Sequence, residues 1–202
     1  MKKILLVLCV LVSLSAQAQK NRVEHNLQAS VGTCDVLVDG QSESGLMIKL
    51  GYGLNYYFSE QFSVMPGVAY REVNERGLKT CLDGSDYDHF NFIDIPIIVH
   101  YYLGGDKGSW LTFGLGPVFS FCVGNDTYYI NADPKDPRNG LEKAKSFSFG
   151  LQPSITCPVG KHWKFGVEAY LNLTDMQKKY ENLGIKGSRH IHHFAATVSF
   201  LF

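Results

Sequence analysis

Two sets of residues in this sequence are chemically suggestive. The first is the run Ser188-Arg189-His190-Ile191-His192-His193. Imidazoles ligate metal ions or act as general bases, and a serine beside them could serve as a nucleophile. The second set is four ionisable residues embedded in otherwise apolar stretches: Lys49 in GLMIKLGYGLNYYF, Arg71 in VAYREV, Asp94 in FNFIDIPIIVHYYLG and Glu168 in FGVEAYL. An unpaired charge removed from water is costly, whereas a paired and hydrogen-bonded one is tolerated. Two cations and two anions in such settings therefore call for one another, and Tyr170 and His100 could join them. Which chemistry either set can do depends on the elements that carry it.

Period-two alternation of side-chain character picks out eight segments, approximately 23–34, 45–58, 61–75, 89–103, 109–124, 144–158, 161–175 and 189–202. None has helical periodicity, and glycine and aromatic residues are abundant, as suits an all-β chain. The connections alternate in length. Ser59-Glu60, Gly104 to Gly108 and Val159-Gly160 are short. Residues 35–44, 76–88, 125–143 and 176–188 read as long polar loops. Short turns at one end and long loops at the other are the pattern of an antiparallel transmembrane barrel, with short periplasmic turns and long external loops.

The two faces of each segment differ. In the second, Leu46, Ile48, Leu50, Tyr52, Leu54, Tyr56 and Phe58 alternate with Met47, Lys49, Gly51, Gly53, Asn55 and Tyr57. The segments at 109–124, 144–158 and 161–175 repeat this division into a bulky apolar face and a small or polar one. An eight-stranded barrel has an interior only just wide enough for its side chains. The small and polar set fits inside it, so the bulky set faces lipid. Tyr56, Phe58, Phe62, Tyr101, Trp110, Trp163, Phe200 and Phe202 all fall beside the short turns or the C-terminus and form an aromatic belt at one membrane interface. Pro96, Pro117 and Pro153 lie within strands, where each loses a ladder hydrogen bond, and bulges or local irregularity are expected there.

Parity places Lys49, Arg71, Asp94, Glu168, Tyr170 and His100 on the inward face. The four charged residues lie about seven to ten residues above the short turns, within the blur that strand tilt and shear introduce. Outside, Lys49 would cost roughly 2–4 kcal/mol near mid-membrane; inside, it meets carboxylates. The expected arrangement is a polar, charge-paired plug in the lumen. The histidine run divides: His190 and His192 take the lipid-side parity and only His193 points in, with no acidic partner fixed by the sequence. Interfacial histidines account for the run better than a metal or catalytic site, and no catalytic residue, metal site or cofactor is assigned.

The chain opens MKKILLVLCVLVSLSAQAQ, with Lys2 and Lys3 before an apolar run and Ala16-Gln17-Ala18 as a cleavage site. This reads as a signal peptide over residues 1–18, with the barrel domain over 19–202. There are 19 basic and 19 acidic residues, so no basic excess points to nucleic acid. Export brings cysteines to an oxidising compartment; a loop-to-loop disulfide between Cys34 and Cys81 is geometrically open, while Cys122 and Cys157 fall on opposite faces. Asp83, Asp86, Asp88, Asp126, Asp133, Asp136 and Asp175 lie in the loops without an EF-hand pattern. Phosphate-binding glycine loops, Cys-x-x-Cys and nucleophile elbows are absent from the sequence.

With these features in place, the chain resembles the PorT-like outer-membrane β-barrel proteins of Bacteroidetes, the outer membrane protein beta-barrel domain group. The resemblance rests on the AQAQ signal end, FNFIDIPIIVHYYLG, FGLGPVFSF and the terminal FAATVSFLF, and covers the whole mature chain. It implies an outer-membrane address and a last strand, with Val198, Phe200 and Phe202, of the kind read by the barrel-insertion machinery. It implies little about activity. The expectation is an eight-stranded antiparallel outer-membrane barrel with both ends periplasmic, in contact with the lipid bilayer and lipopolysaccharide. It would be a non-enzymatic scaffold, or a surface-interaction or assembly accessory, acting on an unidentified protein partner through its external loops. The alternatives are a narrow porin-like pore for small solutes and a lipid-modifying enzyme using His193.

Overall fold

A computed structural model describes residues 22–38, 41–75, 89–105, 108–126, 145–176 and 188–202. The expected signal peptide, Cys81, Asp83, Asp86, Asp88, Asp133 and Asp136 lie outside these, as does most of the three later segments expected to be loops. The strands are β1 (Arg22–Val38), β2 (Gln41–Tyr57), β3 (Phe62–Glu75), β4 (His89–Leu103), β5 (Leu111–Asp126), β6 (Phe147–Val159), β7 (Trp163–Asn172) and β8 (Arg189–Leu201). Each pairs antiparallel with the next, and β1 pairs with β8, closing a barrel of eight strands. Closure leaves no free sheet edge, so every strand has partners on both sides.

The alternation sets the faces. Leu50 is 61% exposed, whereas its neighbour Lys49 is 3% exposed. Exposed large apolar side chains run round the outside on every strand, among them Val31, Ile48, Val68, Val99, Leu115, Ile155, Val167 and Phe194. The buried set includes Asn26, Ser30, Lys49, Asn55, Arg71, Asp94, Ser120, Gln152 and Glu168. This is a globular protein turned inside out, stable only where the outer surface meets hydrocarbon.

The short turns follow from their residues. Gly104, Gly105 and Gly160 hold positive φ values of 95°, 80° and 70°, conformations glycine adopts without steric cost. Ser59 Oγ accepts hydrogen bonds from the Phe62 and Gln61 amides at 3.0 and 3.3 Å, closing the β2–β3 turn. At this end Phe62 packs on Phe58 and Tyr101, and Phe200 on Trp163 and Phe202.

One sequence expectation needs correction, and a second is met in one of its two forms. The segment 35–44 is not a long loop: β1 and β2 stay paired out to Val38–Gln41. Val36-Leu37-Val38 is strongly β-forming, and the pairing of Val38 with Gln41 carries the two strands to the edge of the described residues. At the prolines the expected local irregularity takes the form of a gap in the ladder and not of a bulge. Pro96, Pro117 and Pro153 sit beside interruptions of the ladder, but the register is the same on either side of each. The missing amide removes one bond without inserting a residue. The register shift lies instead between Asn91 and Phe92, opposite Val123.

Candidate functional site in the barrel lumen

The lumen is built in layers. At the end away from the short turns, Val36, Met47, Val73, Phe90, Phe92, Ile191 and Met176 form an apolar cluster, all at or below 1% exposure. Cys34 belongs to it, its thiol 3.6 Å from the Leu46 carbonyl oxygen. Whether Cys34 meets Cys81 falls outside the described residues. Cys122 packs against the same cluster, and Cys157 is exposed on the outer face.

Beneath this cap lies the charged layer. Lys49 on β2 and Arg71 on β3 are direct cross-strand partners. Like charges placed opposite one another destabilise a sheet, and the two cations find separate anions. Arg71 forks onto Asp94 of the adjacent β4, donating from Nε to Oδ2 at 2.6 Å and from Nη2 to Oδ1 at 3.1 Å. The register sets Asp94 opposite Ala69, two residues from Arg71, a diagonal that a long side chain spans. The guanidinium also donates to Ser120 Oγ at 3.2 Å and lies over the rings of Phe92 and Tyr170, at 4.4 and 4.7 Å.

Lys49 instead reaches across the barrel and forms an ion pair with Glu168 of β7. Glu168 Oε2 accepts hydrogen bonds from Gln28 of β1 at 2.7 Å and Gln152 of β6 at 2.8 Å, and Gln152 Oε1 accepts from Lys49 at 3.3 Å. His193 of β8 lies on the other side, its Nε2 4.0 Å from Glu168 Oε1 and its ring stacked on Tyr170 at 5.4 Å. One carboxylate thus ties β1, β2, β6 and β7 together through the middle of the lumen.

The structure therefore brings Lys49, Arg71, Asp94, Glu168 and Tyr170 into one layer, and leaves His100 out of it. His100 lies nearer the short turns, opposite Ser63, with its Nδ1 3.1 Å from Asn55 Oδ1 and its ring edge-on to Tyr102. Parity gave its side of the wall, while its height depends on tilt, which parity does not carry. Sequence reasoning missed Gln28 and Gln152 as members of the network. Both are on inward parity, and the signal available was that a buried carboxylate needs donors beyond its cation. Between the charged layer and the His100 layer, Met65, Ile98 and Val118 pack with Tyr170.

The interior is nearly full. Two cavities of about 10 and 20 Å³ lie along it, each room for about one water molecule. The histidine run divides between the faces: His190 and His192 stack at 6.2 Å toward the outer face while His193 is buried in the lumen, and His192 Nδ1 accepts from the Asn172 amide at 3.3 Å. No group of three metal-ligating side chains occurs among the described residues.

A closed eight-stranded barrel with an apolar exterior, an aromatic girdle and a polar, side-chain-filled interior defines an outer-membrane-type β-barrel. Over residues 16–178 the chain matches the model of the outer membrane protein beta-barrel domain, and it belongs to that family. Among solved structures, Neisserial surface protein A shares the fold at a TM-score of 0.56 and 14% identity, over 88% of this chain and 97% of that one. Ail, the attachment invasion locus protein of Yersinia pestis, solved in complex with the heparin analogue sucrose octasulfate, does so at 0.54 and 10% identity, over 90% and 99%. No curated protein sequence matches the chain.

Proposed function

We propose that this protein is a non-conducting outer-membrane scaffold, of the PorT-like Bacteroidetes type, that engages a protein partner through the segments at the end away from the short turns. The observation that carries the reading is the cross-lumen pair of Lys49 and Glu168 beneath a fully buried apolar cap. An interior closed in this way offers no route for a solute, which leaves the membrane-exposed ends as the working surfaces. In this reading the short turns and both chain ends are periplasmic and lipopolysaccharide surrounds the outer half of the wall. The insertion machinery reads Val198, Phe200 and Phe202 on the last strand. Against the enzymatic alternative, His193 is sealed inside the lumen at 4% exposure.

A second reading, a narrow conduit for water or small ions, is favoured by the buried polar atoms without hydrogen-bond partners along the lumen, Asn26 Oδ1, Asn55 Nδ2 and both His193 ring nitrogens. Single-channel current in a planar bilayer decides between them. The scaffold reading expects a silent wild type and a leaky Lys49→Ala variant. Steady ion-selective steps from the wild type would overturn it in favour of the conduit.

A further inference from the structure

The smallest inward-facing residues of the barrel gather on one patch of its wall. The β2–β3 register sets Gly51 opposite Ala69 and Gly53 opposite Gly67, and the β3–β4 register continues the first row to Asp94. Glycine and alanine do not reach into the lumen, and the hollow they leave is the cavity of about 10 Å³. Two observations give this hollow a polar character. Lys49, Asp94, Gln28 and Gln152 line it. It also lies at the interruption of the β3–β4 ladder, where Pro96 brings no amide. The charged groups around it have bonding capacity left. An ammonium carries three donors, and Glu168 and Gln152 take two of those of Lys49. A carboxylate accepts about four hydrogen bonds, and Asp94 accepts two, both from Arg71.

The hollow is one of a series. It shares Asn26, Gln28, Met65 and Gln152 with the cavity of about 20 Å³, which lies toward the short turns beside His100 and Ser199. Lys164 lines both that cavity and an opening of about 470 Å³ at the short turns, whose rim includes the exposed Gly160 and Lys161. On the other side of the charged layer Met47, Val73, Phe92, Ile191 and Met176 are packed and apolar, and apolar surroundings do not retain water. We propose that the lumen binds water on the turn side alone. One molecule in the hollow accepts from the Lys49 ammonium and donates to the Asp94 carboxylate, and a second in the lower cavity continues a hydrogen-bonded file to the turn-end opening. Each cavity has the room and the polar lining that a buried water needs. The bridge couples the two ion pairs. The file lets the Lys49–Glu168 pair exchange protons with solvent at the short-turn end and not at the other. Such a file is compatible with a barrel silent to ions, because it stops at the cap.

Three buried methionines report where the water lies. Met65 lines both cavities, while Met47 and Met176 belong to the apolar cap, and none exceeds 5% exposure. X-rays split water into hydroxyl radicals at the place where it is bound, and these oxidise a neighbouring methionine to the sulfoxide. The protein in phosphatidylcholine nanodiscs is exposed to brief synchrotron pulses with a radical quencher in the buffer, and the oxidation of each methionine is read by tandem mass spectrometry. Met65 is expected to oxidise severalfold faster than Met47 and Met176. Ala69→Val, which adds two methyl groups to the hollow, and Ser199→Val, which narrows the lower cavity, should each slow Met65. Equal rates at the three positions overturn the proposal, whether low, as in a dry lumen, or high, as when water passes the cap. A Met65 rate unchanged in both variants overturns it as well. Unchanged heat-dependent gel mobility of each variant establishes that the barrel is intact, and the comparison of the three methionines in the wild type needs no variant.

Discussion

Replacing Lys49 by methionine leaves the Glu168 carboxylate buried, with two glutamine donors and no cation in contact. Removing one member of a buried pair typically costs about 3–5 kcal/mol, because the remaining charge is uncompensated. Glu168→Leu should cost at least as much, since it strands the Lys49 ammonium and also removes the acceptor used by Gln28 and Gln152, each bond worth about 1 kcal/mol. The double variant Lys49→Met/Glu168→Leu removes both charges together. Exchange of a buried ion pair for apolar groups of similar size is often neutral or stabilising. The three lost glutamine contacts remain, two to Glu168 and one from Lys49 to Gln152, so the double variant should lie within about 3 kcal/mol of wild type. The assay is urea unfolding of the protein in lipid vesicles, followed by tryptophan fluorescence, with the three variants and wild type closed into a double-mutant cycle. Strong coupling is the expected result. A double variant as unstable as the two single losses added together would refute the reasoning, because it would mean that the two side chains act independently.

Leu50→Lys, one residue along β2, should cost roughly 2–4 kcal/mol by placing a charge on the lipid face near mid-membrane; equal unfolding midpoints for this variant and wild type would contradict the assigned orientation. Gly166→Ala should be far more damaging than Gly53→Ala. A Cβ at Gly166 would lie 2.0 Å from the Ile155 carbonyl oxygen, whereas one at Gly53 would first meet the flexible Met65 side chain at 2.8 Å. Overpacking against fixed backbone costs about 1–3 kcal/mol or more, and the comparison is read from the midpoints of the two variants. His193→Phe keeps the stack on Tyr170 and removes two buried nitrogens without hydrogen-bond partners. It should leave stability unchanged or raised by about 1 kcal/mol, with lipid A mass spectra identical to wild type.

The faces of the barrel were legible in the sequence because a period of two needs no knowledge of neighbours. Leu50 outside and Lys49 inside follow from parity and the price of a charge in lipid. The partner of Lys49 was not legible to the same degree. Asp94 and Glu168 are both inward, and the choice between them depends on which strands face one another across the lumen and on the tilt that sets their heights. Strand order in the closed barrel puts β7 three strands from β2, toward the far wall, while β4 lies next to β3, so Glu168 takes Lys49 and Asp94 takes Arg71. His100 was misjudged for the same reason, being correct in side and wrong in height. The β1–β2 connection was read as a loop from its polar residues, although cross-strand pairing stabilises a polar hairpin as readily as an apolar one when its turn is favourable.

The two ion pairs are chemically alike and mechanically different. Arg71 and Asp94 stand on adjacent strands, and their bond runs along the wall, where it adds to pairing that the β3–β4 ladder already provides. Lys49 and Glu168 stand on strands with no ladder between them, so their bond crosses the space a solute would have to use. The opposition of Lys49 and Arg71 across the β2–β3 register forces this division of labour. Two neighbouring cations cannot share one carboxylate without leaving the other anion unpaired. With the guanidinium held to the wall by Asp94, Ser120 and two aromatic rings, the ammonium is the cation left to extend inward. A path through the barrel would therefore require release of the Lys49–Glu168 pair and displacement of the apolar cap above it, while the Arg71–Asp94 pair could remain in place throughout.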